Sequence, residues 1–507
     1  MFSNQNLSQL ITSAAKRSPQ ALFGTDTVSM PLADALELAR KLARQLGAAG
    51  LRRGSTVAFV GATSEHYLIL WMASQLVGLR TALINPHYPQ ELLRDMLVDL
   101  RPDAVAFFDD QFAAPASADW RQLDARRAWA GEITLSGVAP APAEGANAAD
   151  AASDPAEWGA QCEGGEIASY MHTSGTSGRP KFCAQSHTYF IRLGRFIADS
   201  MGYTWRDVIY APMPMFHINP LGYGVVAGLT AGASVFGTQR FSSGEFWNTV
   251  KRIGATAAVL HGTPLKMLLK DTSPQDSEGH GLRCVFFASE EFLSRFSVPM
   301  GITLYGSTEA GGLCHLWQLR PGDAEPAAEG PTQYGGRARF DMEHTLSDEG
   351  EILVRQLSEN TMFSGYLRDG VIDPSVDALG WFHTGDRGRM DQYGNLVFIE
   401  RLSEAIRVNG EYVPIDYVER KLETEAGLTE FALWSRPDEV SGQRPVLFVT
   451  DPNFDLARTT AVIVSLPRIM RPVEILRIAA LPRDTGVNKV QRRRLAGEPV
   501  LARHALS

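Results

Sequence analysis

The sequence predicts an α/β protein with a large N-terminal domain and a small α+β C-terminal domain. The large domain is expected to contain two doubly wound α/β subdomains, because buried-type strands alternate with helices over residues 56–108 and 207–305. Short strands interrupted by Gly and Asp over 330–400 predict a third, small β-barrel-like subdomain or antiparallel sheet. After Arg401 the pattern changes again, which indicates a separate domain over 404–507.

The first α/β series follows a helical N-terminal region over residues 5–50 that contains a short hairpin-like break. Its predicted strands are 56–60, 81–85 and 104–108, and its predicted helices are 64–79 and 89–100. Strands that alternate with helices in this way form a parallel sheet covered by helices. An Ala-, Gly- and Pro-rich stretch over 137–165 then predicts a linker or a mobile surface excursion, and a strand at 166–171 follows it.

The second α/β series repeats the alternation. Its predicted strands are 207–211, 234–236, 257–260, 284–287 and 302–305, and its predicted helices are 221–232 and 243–253. In the C-terminal domain, a mostly helical segment over 413–426 precedes strands at 430–435 and 445–450. A mixture of a helix and adjacent strands on this scale is typical of a small α+β domain.

Composition and charge limit the expected partners of this chain. Of its 507 residues, 44% are hydrophobic and 21% are charged, as in ordinary globular proteins. The net charge of −9 disfavours nucleic acid and anionic membrane surfaces as partners. No apolar run approaches the roughly 20 residues of a membrane-spanning helix, and the N-terminal residues do not have the pattern of a secretion signal. The four cysteines lie far apart without metal-ligand spacing, so we expect a reducing, cytoplasmic location.

A hydroxyl- and glycine-rich loop, Thr173–Lys181, is the most informative single stretch. Glycine lets the backbone approach a ligand closely, and amide and hydroxyl groups can then contact phosphate oxygens, with Lys181 as a mobile positive charge. The spacing is not the Walker pattern, in which Lys-Ser/Thr follows a glycine after four variable residues. Taken alone, the stretch is either a phosphate-binding loop or a polar surface loop.

Five stretches, in this order, resemble the motifs of the adenylate-forming superfamily of acyl-CoA synthetases, peptide-synthetase adenylation domains and firefly-type luciferases. They are Thr173–Lys181, Tyr305–Glu309, Trp381–Asp386, Arg401–Gly410, and Lys489 within Thr485–Gln491. The resemblance covers nearly the whole chain and is greatest to AMP-dependent acid–CoA ligases. It implies that ATP and a carboxylic acid give an acyl-adenylate and pyrophosphate, and that the thiol of coenzyme A then accepts the acyl group. Charge neutralisation dominates the first step, because an anionic carboxylate attacks an anionic phosphate.

The resemblance also implies a role for each motif residue. The implied catalytic residues are Lys489, Thr308, Glu309 and His217. The implied nucleotide- and coenzyme-binding residues are Thr173, Ser174, Gly175, Thr176, Ser177, Gly178, Lys181, Ala288, Ser289, Glu290, Tyr305, Gly306, Ser307, Asp386, Phe398, Arg401 and Gly410. Glu309 is the implied Mg²⁺ ligand, since this ion prefers carboxylate oxygen. Asp386 can accept both ribose hydroxyls, and the Tyr305 ring should stack on adenine. From the residues alone, a turn-capping Asp386, a packed core Tyr305 and a solvated Lys489 remain the alternatives.

The implied domain organisation is an adenylation domain over 1–400, a hinge at 401–403 and a mobile C-terminal domain over 404–507 that carries Lys489. The first step needs Lys489 close to the nucleotide, whereas the second needs a thiol to reach the acyl carbon. Superfamily members therefore rotate the small domain between the two steps. After this rotation Gly410 would leave room for a pantetheine arm, and a plain turn glycine is the alternative.

Two other functions stay open. A superfamily member can load the phosphopantetheine of a carrier protein instead of coenzyme A, and a catalytically silent homologue could bind nucleotide without turnover. Phe182 after the loop lysine and the segment 288–291, where an adenine-contacting Gly-Gly-Ala-Pro-like turn is usual, depart from the superfamily pattern. The joint presence of Glu309, Asp386 and Lys489 argues against the silent homologue. A homodimer is a candidate assembly.

Phe216 and His217 give the best indication of the acid. Amino-acid-activating relatives usually place an Asp after this Phe to pair with the substrate ammonium, so an α-amino acid is a less expected substrate. The Phe-His pair resembles acyl-CoA ligases, in which the ring lines or gates the acyl pocket, and 261–264 and Ser307 should line the same pocket. We therefore expect a small or medium carboxylic acid, aliphatic or aromatic. A histidine that packs in a loop and bonds the backbone is the alternative.

Overall fold

The structure is a computed structural model that describes residues 6–110, 120–137, 153–174, 180–323, 333–401, 406–409, 411–413, 415–482, 490 and 492–506. For Ser174, Gln333, Glu400, Arg401, Tyr412, Asp416 and Arg493 it describes the backbone alone. The chain divides into two compact units. The first unit comprises Met1–Pro86, Leu93–His172 and Phe182–Glu400, and the second comprises His87–Leu92, Thr173–Lys181 and Arg401–Ser507.

The strands are distributed along the whole described chain. In the first half they are β1 (Leu22–Thr25), β2 (Ser29–Pro31), β3 (Thr56–Val60), β4 (Arg80–Ile84), β5 (Ala104–Phe107), β6 (Arg121–Asp124), β7 (Thr134–Ser136), β8 (Ile167–Ser174), β9 (Pro180–Ser186), β10 (Val208–Ala211), β11 (Ser234–Gly237) and β12 (Ala257–Ala258). In the second half they are β13 (Cys284–Phe286), β14 (Met300–Tyr305), β15 (His315–Leu319), β16 (Gln333–Ala338), β17 (Met342–Leu346), β18 (Glu351–Gln356), β19 (Gly365–Arg368), β20 (Val371–Asp373), β21 (Phe382–Met390), β22 (Leu396–Arg401), β23 (Ile406–Val408), β24 (Glu411–Val413), β25 (Phe431–Asp438), β26 (Gly442–Val449), β27 (Glu474–Arg477) and β28 (Ala502–Ala505).

Helices connect most of the parallel strands. The α-helices are α1 (Leu7–Arg17), α2 (Leu32–Ala48), α3 (Glu65–Val77), α4 (Gln90–Leu100), α5 (His187–Met201), α6 (Ala227–Ala231), α7 (Ser243–Ile253), α8 (Gly262–Asp271), α9 (Pro274–Ser277), α10 (Glu290–Phe296), α11 (Ile415–Lys421) and α12 (Leu456–Ser465). Short 3₁₀-helices span Ala128–Ala130, Pro155–Gln161, Arg468–Met470 and Arg492–Gly497, and π-helical turns span Asn219–Val226 and Leu422–Ala426.

The strands form three sheets. The largest has the order β17-β18-β21-β22-β16-β15-β14-β13-β12-β10-β11-β1-β2. In it, the strands from β11 to β14 pair in parallel, and β14, β15 and β16 pair antiparallel. The second sheet has the order β20-β19-β9-β8-β4-β3-β5-β6-β7 and is parallel from β8 to β6. The third has the order β24-β23-β26-β27-β28, with β25 paired to β26. The predicted α/β fold class, with two parallel series, is confirmed.

Local sequence signals set the ends of the helices around the site. Ser64 accepts the backbone N–H of Tyr67 at 3.2 Å and so caps the start of α3, which ends at Gly78 in the left-handed region. Ser186 does the same for α5 by accepting from the N–H of Tyr189 at 3.1 Å. Because β9 ends at Ser186, this cap turns the chain directly from the strand into the helix.

Three sequence-based expectations differ from the structure. The helix predicted over 221–232 is a π-helical turn, Asn219–Val226, followed by the short helix α6. The strand predicted over 257–260 is shorter and spans Ala257–Ala258, although the N–H of Val259 still donates to the Tyr210 carbonyl at 2.8 Å. The carbonyl of Leu260 instead accepts the side-chain amide of Asn219 at 3.1 Å. The predicted linker over 137–165 is ordered where the structure describes it from 153 onward. There Trp158 is 3% exposed and packs into the main core.

Helix α3 lies in the middle of the main core and is buried on every side. This burial accounts for the apolar sequence of α3. No helix within the described ranges is both long and apolar enough to span a bilayer. The four cysteines, Cys162, Cys183, Cys284 and Cys314, are buried free thiols. Burial raises the pKa of the Cys284 thiol to about 12, so this thiol stays protonated at neutral pH.

Candidate active site

The segment Tyr305–Glu309 leaves the carboxyl end of the parallel strand β14, where α/β sheets usually bind ligands. The chain then folds back tightly, because the N–H of Gly312 donates to the Ser307 carbonyl at 3.0 Å and the N–H of Cys314 donates to the Tyr305 carbonyl at 3.1 Å. A Cβ atom at Gly306 would lie 2.6 Å from the Cα of Leu313, so glycine is required at this position. The result is a compact loop that presents Ser307, Thr308 and Glu309 beside the end of the strand.

Three buried polar side chains hold this loop from behind. The Tyr189 hydroxyl donates to the Thr308 carbonyl at 2.9 Å, and the Tyr223 hydroxyl donates to the Gly312 carbonyl at 2.7 Å. Arg339, whose side chain is 0% exposed, donates to the carbonyls of Gly311 and Leu313 at 3.0 Å each. Burial raises the pKa of both tyrosines, so their hydroxyls remain donors.

Arg339 is itself held by a buried carboxylate. Its Nε and Nη2 atoms donate to the two oxygens of Asp341 at 2.9 Å each, and Asp341 is 2% exposed. A paired guanidinium satisfies the buried carboxylate and still has donors left for the loop carbonyls. The loop that carries Thr308 and Glu309 is therefore anchored to a buried ion pair.

Glu309, the predicted Mg²⁺ ligand, is 8% exposed and hydrogen-bonded at both ends. The Tyr366 hydroxyl donates to its Oε1 atom at 2.9 Å, and the N–H of Phe363 donates to its carbonyl at 3.1 Å. Among the described residues, no group of three or more metal-ligating side chains is present. Mg²⁺ fits such a site, because it is commonly held by one or two carboxylates together with substrate phosphates.

Tyr305 and Asp386 come from two motifs that are 81 residues apart, and the structure brings them into contact. The Tyr305 hydroxyl donates to Asp386 Oδ2 at 2.9 Å, and both side chains are buried. The Phe398 ring stacks on Tyr305 with centroids 5.9 Å apart and planes 23° apart. Burial, followed by the charge of Asp386, raises the pKa of Tyr305 well above its usual value and keeps this hydroxyl a donor. Three predicted nucleotide-binding residues thus form one group.

The turn before Asp386 is fixed by neighbouring strand β18. The Thr384 hydroxyl donates to the Ile352 carbonyl at 2.7 Å, and Glu351 accepts the N–H of Gly385 at 2.9 Å. His383 contacts the other oxygen of Glu351 at 2.9 Å, and this hydrogen bond raises the pKa of His383 above its ordinary value. The turn that carries Asp386 is therefore held by hydrogen bonds to β18, with Glu351 bonded to both His383 and Gly385.

Phe216 and His217 lie against a histidine that sequence analysis missed. The Phe216 ring stacks on the His172 ring at 5.9 Å, and the His217 ring lies 6.5 Å from His172. His172 Nε2 accepts the N–H of Asn85 at 3.1 Å, and burial, with a smaller effect of His217, lowers the pKa of His172 to about 3. Its position directly before the loop 173–181 was the available signal. The His172 ring is neutral at neutral pH, so it places no positive charge beside Phe216.

Other predicted pocket and adenine residues make local contacts, and their roles stay predictions. His261 caps α8, since its Nδ1 accepts the N–H of Thr263 at 3.3 Å. Ala288 is 1% exposed in the core, and Ser289 caps α10 by accepting from the N–H of Phe292 at 3.2 Å. Glu290 accepts the N–H of Gly322 at 3.0 Å beside an acidic surface depression.

Several predicted residues lie partly or wholly outside the described residues. Thr173 lies in β8 with its side chain buried, and Lys181 lies in β9. The backbones of Ser174 and Arg401 lie in β8 and β22. Gly175, Thr176, Ser177, Gly178, Gly410 and Lys489, together with hinge residues 402–403, are outside the described residues. Their roles stay predictions.

Comparisons with known proteins test the inferred family. The family model described as "AMP-binding enzyme" matches residues 12–367. The chain is 25% identical over 456 residues to 4-coumarate–CoA ligase 5 of Oryza sativa subsp. japonica, which covers 84% of this chain and 81% of the relative. It is 30% identical to medium/long-chain-fatty-acid–CoA ligase FadD17 of Mycobacterium tuberculosis over 349 residues. This alignment covers 65% of this chain and 67% of the relative.

The fold is also found in solved structures. A double mutant of o-succinylbenzoate CoA synthetase from Bacillus subtilis superposes with a TM-score of 0.78 at 20% identity, over 98% of this chain and 100% of that chain. The resemblance to the adenylate-forming superfamily is thus confirmed by sequence and by fold. The match to the family model spans more than half of the sequence, and the chain belongs to the AMP-binding enzyme family.

Proposed function

We propose that this protein is an AMP-forming acid–thiol ligase, which activates a carboxylic acid with ATP and transfers the acyl group to coenzyme A. The contact between Tyr305 and Asp386 carries the proposal, because it joins the predicted adenine and ribose residues into one group. Membership of the AMP-binding family supports the same chemistry. Similar relatives are named as CoA ligases for 4-coumarate and for medium- or long-chain fatty acids.

In the first step, a carboxylate oxygen of the acid attacks the α-phosphorus of ATP. The bond from the α-phosphorus to the bridging oxygen breaks, and pyrophosphate leaves with that oxygen and its electron pair. Mg²⁺, when bound, neutralises phosphate charge. The protein itself holds the nucleotide at Tyr305, Phe398 and Asp386. Glu309 faces the cation and Thr308 faces the α-phosphate. Lys489 is brought to the reacting oxygens.

In the second step, the sulfur of the thiol, after loss of its proton, attacks the acyl carbon, and AMP leaves. Lys489 and the thiol need the same approach to the acyl group, so the domain over 404–507 rotates about 401–403 between the steps. The adenylation domain over 1–400 keeps the acyl-adenylate in place meanwhile. Gly410 leaves room for the pantetheine arm in the second orientation. The thiol therefore reaches the acyl group only after Lys489 has moved away.

The acid is a small or medium carboxylic acid, aliphatic or aromatic. The pocket wall formed by Phe216 and His172 supports this, because it combines an aromatic ring with a histidine whose pKa is lowered to about 3. Such a wall offers neither a carboxylate for a substrate ammonium nor a positive charge for a second acidic group. His217 contacts both rings and lines the same side.

The protein acts in the cytoplasm, where the four buried free thiols would stay reduced. Coenzyme A is the proposed acceptor, and carrier-bound phosphopantetheine has the same reactive thiol. The homodimer stays a prediction, which size-exclusion chromatography with light scattering will test.

The test is a pyrophosphate-release assay with ATP, Mg²⁺ and a panel of carboxylic acids, with and without coenzyme A or a phosphopantetheinylated carrier protein. We expect release with at least one acid and thioester formation with coenzyme A. Asp386→Asn should lower kcat/KM for ATP by about 10- to 100-fold, because it weakens a buried charged acceptor. Asp391→Asn is the matched control, since Asp391 also accepts a tyrosine hydroxyl, that of Tyr334 at 2.8 Å. No pyrophosphate with any acid would contradict the proposal.

A further inference from the structure

Tyr366 contacts the predicted metal ligand directly, although it belongs to none of the five motifs. Its hydroxyl donates to Glu309 Oε1 at 2.9 Å across 57 residues of sequence. Glu309 is 8% exposed, so a hydrogen bond to its carboxylate is little weakened by water. The bond restricts the rotation of a carboxylate that otherwise ends a flexible side chain.

The backbone around Tyr366 is unusually constrained. In β19 it lies opposite Cys183 of β9, and the preceding Gly365 lies opposite Ala184. Gly365 has a φ of +136°, and a Cβ atom there would lie 2.0 Å from the carbonyl oxygen of Asp373. Only glycine fits at this position, because β19 runs close to the backbone of its hairpin partner β20.

The ring of Tyr366 is also packed. It meets the Phe363 ring edge to face, with centroids 5.0 Å apart. The N–H of Phe363 donates to the Glu309 carbonyl at 3.1 Å, and the N–H of Ser364 donates to the Ala184 carbonyl at 2.8 Å. One short segment, 363–366, therefore holds Glu309 by its backbone and by its carboxylate, and is itself fixed to β9.

We propose that Tyr366 is a positioning residue that orients the Glu309 carboxylate for the divalent cation bound with ATP. The inference rests on the proposed function in one respect, namely that Glu309 is the cation ligand. The physical reason is general: a ligating carboxylate that is hydrogen-bonded in advance loses less conformational freedom when the cation binds. Tyr366 acts through Glu309 and does not take part in bond making or breaking.

The test measures cation binding without turnover. Mn²⁺ is titrated into the protein with α,β-methylene-ATP, and free Mn²⁺ is followed by electron paramagnetic resonance. We expect Tyr366→Phe to weaken Mn²⁺ binding by about 10-fold, as loss of a hydrogen-bond partner of a metal ligand typically does. Glu309→Gln should weaken it further. Tyr334→Phe is the matched control, because it also removes a tyrosine hydroxyl from a carboxylate, that of Asp391, and should bind Mn²⁺ like wild type.

The outcomes separate this inference from the proposed function. A wild-type protein that binds Mn²⁺ tightly, with the 10-fold loss in Tyr366→Phe, supports the positioning role even if no acid in the panel releases pyrophosphate. Tyr366→Phe binding within twofold of Tyr334→Phe overturns it. Wild-type binding by Glu309→Gln overturns it as well, because Glu309 would then not be the ligand. Urea unfolding of Tyr366→Phe and Tyr334→Phe shows whether both variants remain folded under the conditions of the titration.

Discussion

Replacing Arg339 with Met should both destabilise the protein and loosen the loop that carries Glu309. The guanidinium is fully buried and makes four hydrogen bonds, two to Asp341 and two to the carbonyls of Gly311 and Leu313. Met has a similar length and leaves little empty volume, so the effect isolates the loss of charge and donors.

The expected loss of unfolding free energy depends on the polar groups that lose their partner when Arg339 is replaced. Asp341 is 2% exposed and would keep one cation nearby, Arg192, whose Nη1 lies 3.7 Å away. Removing one partner of a buried pair typically costs about 3–5 kcal/mol. Each carbonyl left without its donor adds about 1 kcal/mol. Together these costs amount to about 5–7 kcal/mol. Because Arg192 stays near Asp341, Arg339→Met should lose about 5 kcal/mol, the lower end of this range, out of the 5–15 kcal/mol typical of folded domains.

Urea unfolding followed by tryptophan fluorescence measures this loss. The matched control is Arg44→Met, which breaks a bidentate pair with Asp154 at the surface, with Nε at 3.0 Å and Nη2 at 2.8 Å from Oδ2. Exposed pairs contribute about 0–1 kcal/mol, so this control should stay near wild type. The initial rate of pyrophosphate release, taken well below the unfolding midpoint, should fall in Arg339→Met alone. A loss below 1 kcal/mol with an unchanged rate would refute the reasoning.

Two further predictions concern catalysis and acid stability. Lys489→Ala should abolish pyrophosphate release and preserve thioester formation from supplied acyl-adenylate, measured by rapid quench. Equal loss of both half-reactions would contradict the assigned division of roles. For His187, burial lowers the pKa to about 4, against an unfolded value of 6.5. The folded state thus resists protonation, so stability that is complete above pH 6.5 is lost as the pH falls towards 4. At pH 5 the loss is about 2 kcal/mol (1.5 units at about 1.4 kcal/mol each). Between pH 7 and 5, His187→Gln should therefore lose about 2 kcal/mol less unfolding free energy than wild type in urea titrations. Parallel losses in both proteins would rule out this role of His187.

The sequence pointed to the motif residues but not to the residues that support them. Tyr305 and Asp386 were both expected at the nucleotide, because each stretch resembles a motif of the adenylate-forming superfamily. Tyr189, Tyr223 and Arg339 contact the loop from 119, 89 and 28 residues away. No local pattern encodes such contacts, since they depend on how strands and helices are brought together.

Alternation of strands and helices predicted the two parallel sheets, because period and length suffice for buried strands. Hydrophobic period and segment length could not predict the π-helical turn at Asn219–Val226, because its apolar residues fit an ordinary α-helix equally well. Similarly, Trp158 packs in the core from a stretch whose composition indicated a linker. In both segments the structure is determined by packing against the rest of the protein and differs from what the local sequence propensity favours.

The pairing of β16 with β15 and of β19 with β9 has a consequence for biosynthesis. A nascent chain that has emerged only as far as residue 323 would leave the edges of β15 and β9 without partners, and uncovered edges promote association between chains. Neither large sheet can be completed until 333–401 has left the ribosome. We therefore expect the first unit to mature late in translation, and holding chaperones to matter most during that interval.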